Sequence, residues 1–210
     1  MASATSASEL AHILAVAVHG PTAACHELHT ERPGSFGEIS RAISGARDRG
    51  RRVFVGTWLT RSTCRSLVQM VDWLVGTSVV GWTVVWPRVA ATGLVRASRT
   101  VPRLGIAAPH ALRAVQRAQQ RGLAVAVVGI PSCVLGPFAA LRIPGPRAGT
   151  PAPPCAECPA RDDCAALDPW YLDRFGPGEL HPVPPVPRNP RAPWIVSGLE
   201  AAARAVDEGQ

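Results

Sequence analysis

Residues 13–19 read ILAVAVH, an unbroken apolar run that ends in His-Gly-Pro. Such a run is typical of a parallel strand that is buried on both faces. Residues 25–34 are charged and predict a loop, and residues 35–49 have helical character. Ser35 suits the N-cap of that helix, with a glutamate three residues on, and a glycine ends it. These residues together predict one strand–helix unit.

The strand–helix unit then repeats along the chain. Residues 52–59 (RVFVGTWL), 79–86 (VVGWTVVW) and 124–130 (AVAVVGI) are predicted as further strands. Helical patterns lie between them, one capped by Ser62 and one with Pro109 at its first position. Alternating strands and helices with short connections predict an α/β fold, with parallel strands in sequence order and helices on one face.

The composition changes after this part of the chain. Sixteen of the 21 prolines lie between Pro131 and Pro193, so that region cannot consist of regular sheet or helix. Residues 182–193 indicate an extended polyproline-like linker, and residues 195–206 a short helix that docks or frays. The predicted domains are 1–128 (the repeated units), 129–181 (a Cys-rich module) and 182–210 (linker and C-terminal helix).

Four cysteines in this second part carry the strongest chemical signal. Residues 154–164 read PCAECPARDDC, in which a CxxC pair is followed by a third cysteine. A fourth, upstream in GIPSC, can complete a shell of four sulfurs around one metal centre. We call these candidate metal ligands the cysteine quartet: Cys133, Cys155, Cys158 and Cys164.

Three interpretations of the quartet differ in chemistry. Residues 1–11 do not resemble a signal peptide, which disfavours disulfides and predicts reduced thiols. Four thiolates suit either zinc or an iron–sulfur cluster, and spacing alone does not separate the two. One CxxC joined by two lone cysteines favours the iron–sulfur cluster, with zinc as the alternative metal. Cys25 and Cys64 are expected to be thiols without a ligand role.

The charge pattern argues against two classes of partner. The formal net charge is +7 with arginine as the only strongly basic residue, yet the arginines are scattered without interleaved aromatic residues. Nucleic-acid binding is therefore not expected. The uncharged stretch at residues 73–87 is too short to span a bilayer and contains glycines. The sequence predicts a cytoplasmic protein without a membrane span.

Three histidines, His19, His26 and His29, follow the first strand. They can act as acid–base groups or ligands, but the favoured interpretation is a turn at His19 and two solvated loop residues. The remaining candidates have structural interpretations. Three tryptophans line a core or cleft: Trp58, Trp82 and Trp86. Two arginines, Arg61 and Arg88, end strands, and two aspartates, Asp162 and Asp163, lie at the surface.

Three stretches resemble the C-terminal portion of a radical S-adenosylmethionine (radical SAM) protein. They are VAVHGP (16–21) followed by RPGSF (32–36), VFVGTWLTR (53–61), and GIPSC (129–133) with the CxxC-x5-C motif and YLDRFG (171–176). The resemblance implies an incomplete parallel (β/α) barrel of the radical SAM, TIM-like type with a Cys-rich, Pro-rich C-terminal module. It also implies an auxiliary [4Fe–4S] cluster on the quartet and radical chemistry on a peptide or small molecule.

The chain departs from this family in features that matter for catalysis. The CxxxCxxC motif of the catalytic cluster is absent, and the chain starts just before what would be the fourth barrel strand. Ala17 and Gly56 stand where the family often has Ser and Asn that contact S-adenosylmethionine. The chain alone is therefore not expected to cleave S-adenosylmethionine, and enzymatic activity would need a partner. A zinc-binding adaptor and a truncated gene product are the alternatives.

The first predicted strand should also have an open edge. Only residues 1–12 precede it, too few for another strand and crossover helix. In a half-barrel, the apolar inner faces around Val16, Val18, Val55 and Trp82 would then face water. We expect self-association or a protein partner at this edge.

Overall fold

The computed structural model describes residues 12–88, 94–143 and 151–208. Four strands form one parallel sheet in sequence order, with every strand pairing in register with the next: β1 (Ile13–Ala17), β2 (Arg52–Trp58), β3 (Gly81–Val85) and β4 (Ala124–Val128). The chain is thus an α/β protein, and the predicted strand order and direction are confirmed.

Eight α-helices in the described ranges connect or flank these strands. They are α1 (Ala23–Thr30), α2 (Ser35–Asp48), α3 (Leu67–Gly76), α4 (Leu94–Thr100), α5 (Leu104–Gln120), α6 (Ser132–Leu135), α7 (Pro169–Phe175) and α8 (Pro193–Glu208). No helix in the described part of the chain is long and apolar enough to cross a membrane.

The segment predicted as a charged loop is in part helix α1. The hydroxyl of Thr22 accepts a hydrogen bond from the Cys25 amide (3.3 Å) and caps the helix. Ser35 is not the N-cap of α2, because Gly34 takes that position with φ of 85°. The Glu27 carboxylate of α1 accepts from the Gly34 amide (2.9 Å), so the start of α2 is stabilised by the preceding helix.

Helix α5 begins five residues before Pro109, which lies inside it. Its first amides donate hydrogen bonds to two side chains far along the chain, those of Tyr171 and Glu179. The Leu104 amide donates to the Tyr171 hydroxyl (2.7 Å), and the Gly105 amide donates to the Glu179 carboxylate (2.7 Å). Local sequence could not predict this start because the two capping groups lie 67 and 74 residues away.

One face of the sheet packs against helices α2, α3 and α5. Val16, Val55, Trp82 and Val125 form a row across the four strands on this face. The expectation that Val16, Val18, Val55 and Trp82 would face water is wrong. Val18, Val55 and Trp82 are fully buried, and Val16 is partly buried. The crossover helices cover these residues, so they belong to the main core.

The other face is covered by helix α8, which corrects the prediction of helices on one face only. Leu199, Ala202 and Val206 pack against Phe54 and Trp58 in a second buried cluster. The helix therefore docks rather than frays.

Polar contacts fix the direction of α8. Arg52, at the start of β2, lies over the Trp194 ring (4.2 Å to its centroid), and Arg88, beyond β3, pairs with Asp207 (2.9 Å). The Thr83 hydroxyl donates to the Leu199 carbonyl (2.8 Å). Helix α8 thus runs in the same direction as the strands.

Glycines allow this close approach of helix and sheet. A Cβ atom on Gly56 would lie 2.0 Å from the Ala202 carbonyl oxygen, and one on Gly198 would lie 2.3 Å from the Phe54 ring. Neither position can take a side chain without moving the helix.

Candidate metal centre

The cysteine quartet comes from two separate parts of the chain. Cys133 lies on α6, directly after β4, while the other three follow one another in consecutive turns of the C-terminal module. In these turns the Cys158 amide donates to the Cys155 carbonyl (3.3 Å), and the Arg161 amide donates to the Cys158 carbonyl (3.0 Å). Residues 155, 158 and 164 thus lie in a compact run of turns.

All four quartet thiols line one cavity of about 370 Å³. The remaining wall is largely apolar and includes Pro131, Leu167, Leu180 and Val183. Each quartet cysteine is half-buried, so the cavity is shielded from solvent yet open at its rim. We refer to this space as the quartet cavity.

Main-chain amides point at three of the quartet sulfurs. The Ser132 amide donates to Cys164 Sγ (3.3 Å), and the Val183 amide donates to Cys158 Sγ (3.5 Å). The main chain of His181 provides a hydrogen bond to Cys133. Amide donors stabilise negative charge on sulfur, and they are among the factors that set the potential of iron–sulfur sites.

Burial favours the protonated form of two quartet thiols, those of Cys133 and Cys155. Burial raises the pKa of the Cys133 thiol, and the neighbouring Cys164 and Cys158 raise it further, against a lowering by the His181 main chain. Burial likewise raises the pKa of Cys155, with added contributions from the other quartet thiols. Because a metal centre binds thiolates, its uptake must release protons from this cavity.

Within the described ranges, no three His, Cys, Asp or Glu side chains are grouped so that they could hold a single metal ion. All four quartet residues nevertheless line the quartet cavity.

Three charged residues lie behind Cys164. Asp163 is exposed, as predicted for a surface carboxylate, yet it pairs with the buried Arg142 (2.7 Å) and with Arg188. Asp162 is a surface residue with a 93% exposed side chain. Sequence reasoning missed Arg142, although an arginine between Leu141 and Ile143 is an unusual neighbour for apolar residues.

The three histidines form a second polar cluster, at the carboxyl end of β1. The His19 and His26 ring centroids are 5.7 Å apart, and those of His19 and His29 are 5.2 Å apart. The His19 amide donates to His26 Nδ1 (3.1 Å), and His29 Nε2 lies 2.8 Å from the Ser62 hydroxyl. His19 and His26 are buried, so the interpretation of His26 as a solvated loop residue is wrong.

We predict that His19 makes stability depend on pH. Burial, and then the charges of His29 and His26, lower the pKa of His19 from 6.5 to about 3. The unfolded chain therefore binds a proton on His19 between these pH values and the folded chain does not. Stability should be greatest above pH 6.5 and fall with decreasing pH towards 3, by up to about 1.4 kcal/mol per pH unit from this residue.

Urea denaturation between pH 7.5 and 5 checks this prediction. The His19→Phe variant, which keeps an aromatic ring, should show a shallower loss of stability than the unchanged chain. His110→Phe, a change at an exposed histidine on α5, is the matched control and should leave the slope unchanged. Equal slopes for all three proteins would contradict the assignment.

Neither Cys25 nor Cys64 lines the quartet cavity. Cys64 is buried, which raises the pKa of its thiol, and Cys25 is half-buried. The three tryptophans interpreted as core or cleft residues are buried in the core: Trp58, Trp82 and Trp86. Arg61 donates to the Val101 carbonyl (3.0 Å), so this strand-end arginine serves the fold.

Comparisons of the chain with protein-family models, with curated proteins and with solved structures found no match. The quartet cavity and the motifs of the sequence are therefore the features that indicate a function.

Proposed function

We propose that the protein is an iron–sulfur protein whose cysteine quartet holds one auxiliary [4Fe–4S] cluster. The observation that carries the proposal is the quartet cavity: four thiols from two distant parts of the chain line the same half-buried space of about 370 Å³. A cluster would link Cys133, which directly follows the strands of the sheet, to the three cysteines of residues 155–164.

The size of the quartet cavity supports a cluster over zinc, since about 370 Å³ is more space than a single ion fills. A tetrahedral zinc ion holds each sulfur at about 2.3 Å, which brings the sulfurs to within about 4 Å of one another. A [4Fe–4S] cluster binds each cysteine through a different iron atom and so needs the sulfurs farther apart around a larger space.

The residues of the chain would hold and tune the bound group. A cluster supplies one-electron transfer, or a binding site for substrate where an iron is accessible. The amides of Ser132 and Val183 donate to ligand sulfurs, and the apolar wall around Leu167 and Leu180 keeps water away from them. The amide donors stabilise negative charge on the bound group, whereas the apolar wall limits the access of solvent to it.

We further propose that the α/β unit is the distal part of a barrel related to radical SAM proteins. Consecutive strand order, with the crossover helices on one face, supports this winding. The positions that the resemblance assigns to S-adenosylmethionine contacts, Ala17 and Gly56, both pack under α8. Their burial supports a chain that does not cleave S-adenosylmethionine alone and that acts with a cytoplasmic protein partner, if it acts in catalysis.

The open edge of β1 is where we propose that a protein associates. Within the described residues no strand pairs with this edge. A groove of about 500 Å³ follows it, lined by Ala15 and Ala17 of β1, Ile39 of α2 and Ala205 of α8. Because Val18 and His12 bond to β2, the alternation of a parallel ladder turns the Ala15 amide towards the groove.

We predict association of the purified chain at roughly tens of micromolar, the range in which open strand edges associate. Ala15→Pro removes the outward amide and should reduce association, while Ala15→Ser keeps that amide and serves as the control. Light scattering checks both variants. A monomeric unchanged chain at this concentration would contradict the edge proposal and leave the proposed cluster unaffected.

Anaerobic purification followed by quantitation of iron, sulfide and zinc tests the iron–sulfur proposal. We expect about four iron and about four sulfide per chain, and little zinc. About one zinc per chain without sulfide would instead identify the zinc-binding adaptor, and would overturn the proposal.

A further inference from the structure

Arg142 is a buried charge without an obvious role in the fold. Its side chain is 6% exposed. One terminal nitrogen donates to the Ala139 carbonyl (2.6 Å), and the other donates to Asp163 (2.7 Å) and to the Val186 carbonyl (3.4 Å). The buried Nε has no hydrogen-bond partner. A buried guanidinium that is incompletely bonded costs free energy, so its retention calls for a function of the charge.

The position of Arg142 connects it to the quartet. A second cavity of about 150 Å³ is lined by Arg142, Asp163 and Arg188, and also by Cys164, which lines the quartet cavity as well. Asp162 lines this cavity too, so its two arginines and two aspartates balance in formal charge. The buried Arg142 is the least screened of the four, since the side chains of Asp162, Asp163 and Arg188 are 93%, 44% and 41% exposed.

We propose that Arg142 raises the reduction potential of the metal centre held by the quartet. This inference rests on the proposed function. Reduction adds one electron to the centre, with no bond made or broken, and increases its negative charge by one. A buried positive charge behind Cys164 stabilises the reduced state more than the oxidised state.

A purely structural role for Arg142 is the competing explanation. Through Asp163 it positions the residue next to Cys164, so its loss could loosen that ligand. The two explanations differ in sign when Asp163 is changed. Removal of the negative charge by Asp163→Asn should raise the potential, whereas removal of the positive charge by Arg142→Gln should lower it.

A redox titration of the metal-loaded full chain, with dithionite as the electron donor and soluble mediators, measures this effect. At a fixed potential we expect Arg142→Gln to lower the ratio of reduced to oxidised protein about tenfold, which corresponds to about 59 mV for a one-electron couple. Arg142→Lys keeps the charge and should restore most of the ratio. Arg113→Gln, at an exposed arginine of α5 that lines neither cavity, is the matched control and should have little effect.

Equal potentials for Arg142→Gln and the unchanged chain would overturn the inference while leaving the proposed function intact. Shifts in the same direction for Arg142→Gln and Asp163→Asn would identify a structural role and would also overturn it. If Arg142→Gln does not retain iron, the sign of the Asp163→Asn shift and the potential of Arg142→Lys decide the question. An unchanged chain without iron and sulfide would overturn the proposed function itself.

Discussion

Replacement of any one quartet cysteine by serine should lower the iron bound per chain at least about tenfold. Loss even of an outer-shell partner commonly weakens a metal site by this amount, and a ligand contributes more. Iron and sulfide quantitation after anaerobic reconstitution measures the loss, together with the visible absorbance of the protein. All four variants should behave alike, because each ligand holds a different corner of one centre.

Cys25→Ser and Cys64→Ala are the matched controls, since neither residue lines the quartet cavity. Alanine is the better change at position 64, where a hydroxyl would be buried. Both variants should bind as much iron as the unchanged chain. Full iron binding by Cys133→Ser would show that the three cysteines of residues 155–164 hold the centre without Cys133, and would contradict a four-cysteine site.

The Gly56→Ala change should destabilise the fold by about 3 kcal/mol. The new methyl group would meet the Ala202 carbonyl oxygen at 2.0 Å and the Val206 side chain at 2.4 Å, so α8 would have to move off the sheet. That movement would expose the second buried cluster, including Phe54 and Trp58. Chemical denaturation followed by circular dichroism measures the change in unfolding free energy.

Gly37→Ala is the matched control for this substitution. Gly37 lies inside α2 with no neighbouring atom within 4 Å of an added Cβ. The same chemical change should there stabilise the protein by roughly 0.5–1 kcal/mol, because alanine is the better helix former. A Gly56→Ala variant as stable as the unchanged chain would contradict the tight seating of α8.

The sheet could be predicted from the sequence because its signal is local and repeated. The runs around Val16, Val55, Val84 and Val127 are predominantly apolar, as is typical of strands buried on both faces. Their order followed from the short connections between alternating elements. The sequence did not reveal which face of the sheet each side chain occupies. Val55 and Trp82 lie on the face that α2, α3 and α5 cover, and not on the open inner face of a half-barrel.

Long-range contacts explain what could not be predicted. Helix α8 covers the second face through Gly56 and Gly198, and nothing local to either residue indicates the other. The start of α5 depends on Tyr171 and Glu179 in the same way. For the site, the cysteine spacing pointed to the quartet, whereas Arg142 acquires its position behind Cys164 only from the folded chain.

Native mass spectrometry of the anaerobically purified chain distinguishes most directly between a cluster and a single ion in the quartet cavity. We expect a folded species whose mass exceeds that of the bare chain by the mass of about four iron and about four sulfur atoms. This added mass should disappear in the Cys133→Ser variant. A folded chain that carries a single zinc ion, or no metal after reconstitution with iron and sulfide, would contradict an iron–sulfur centre on the cysteine quartet.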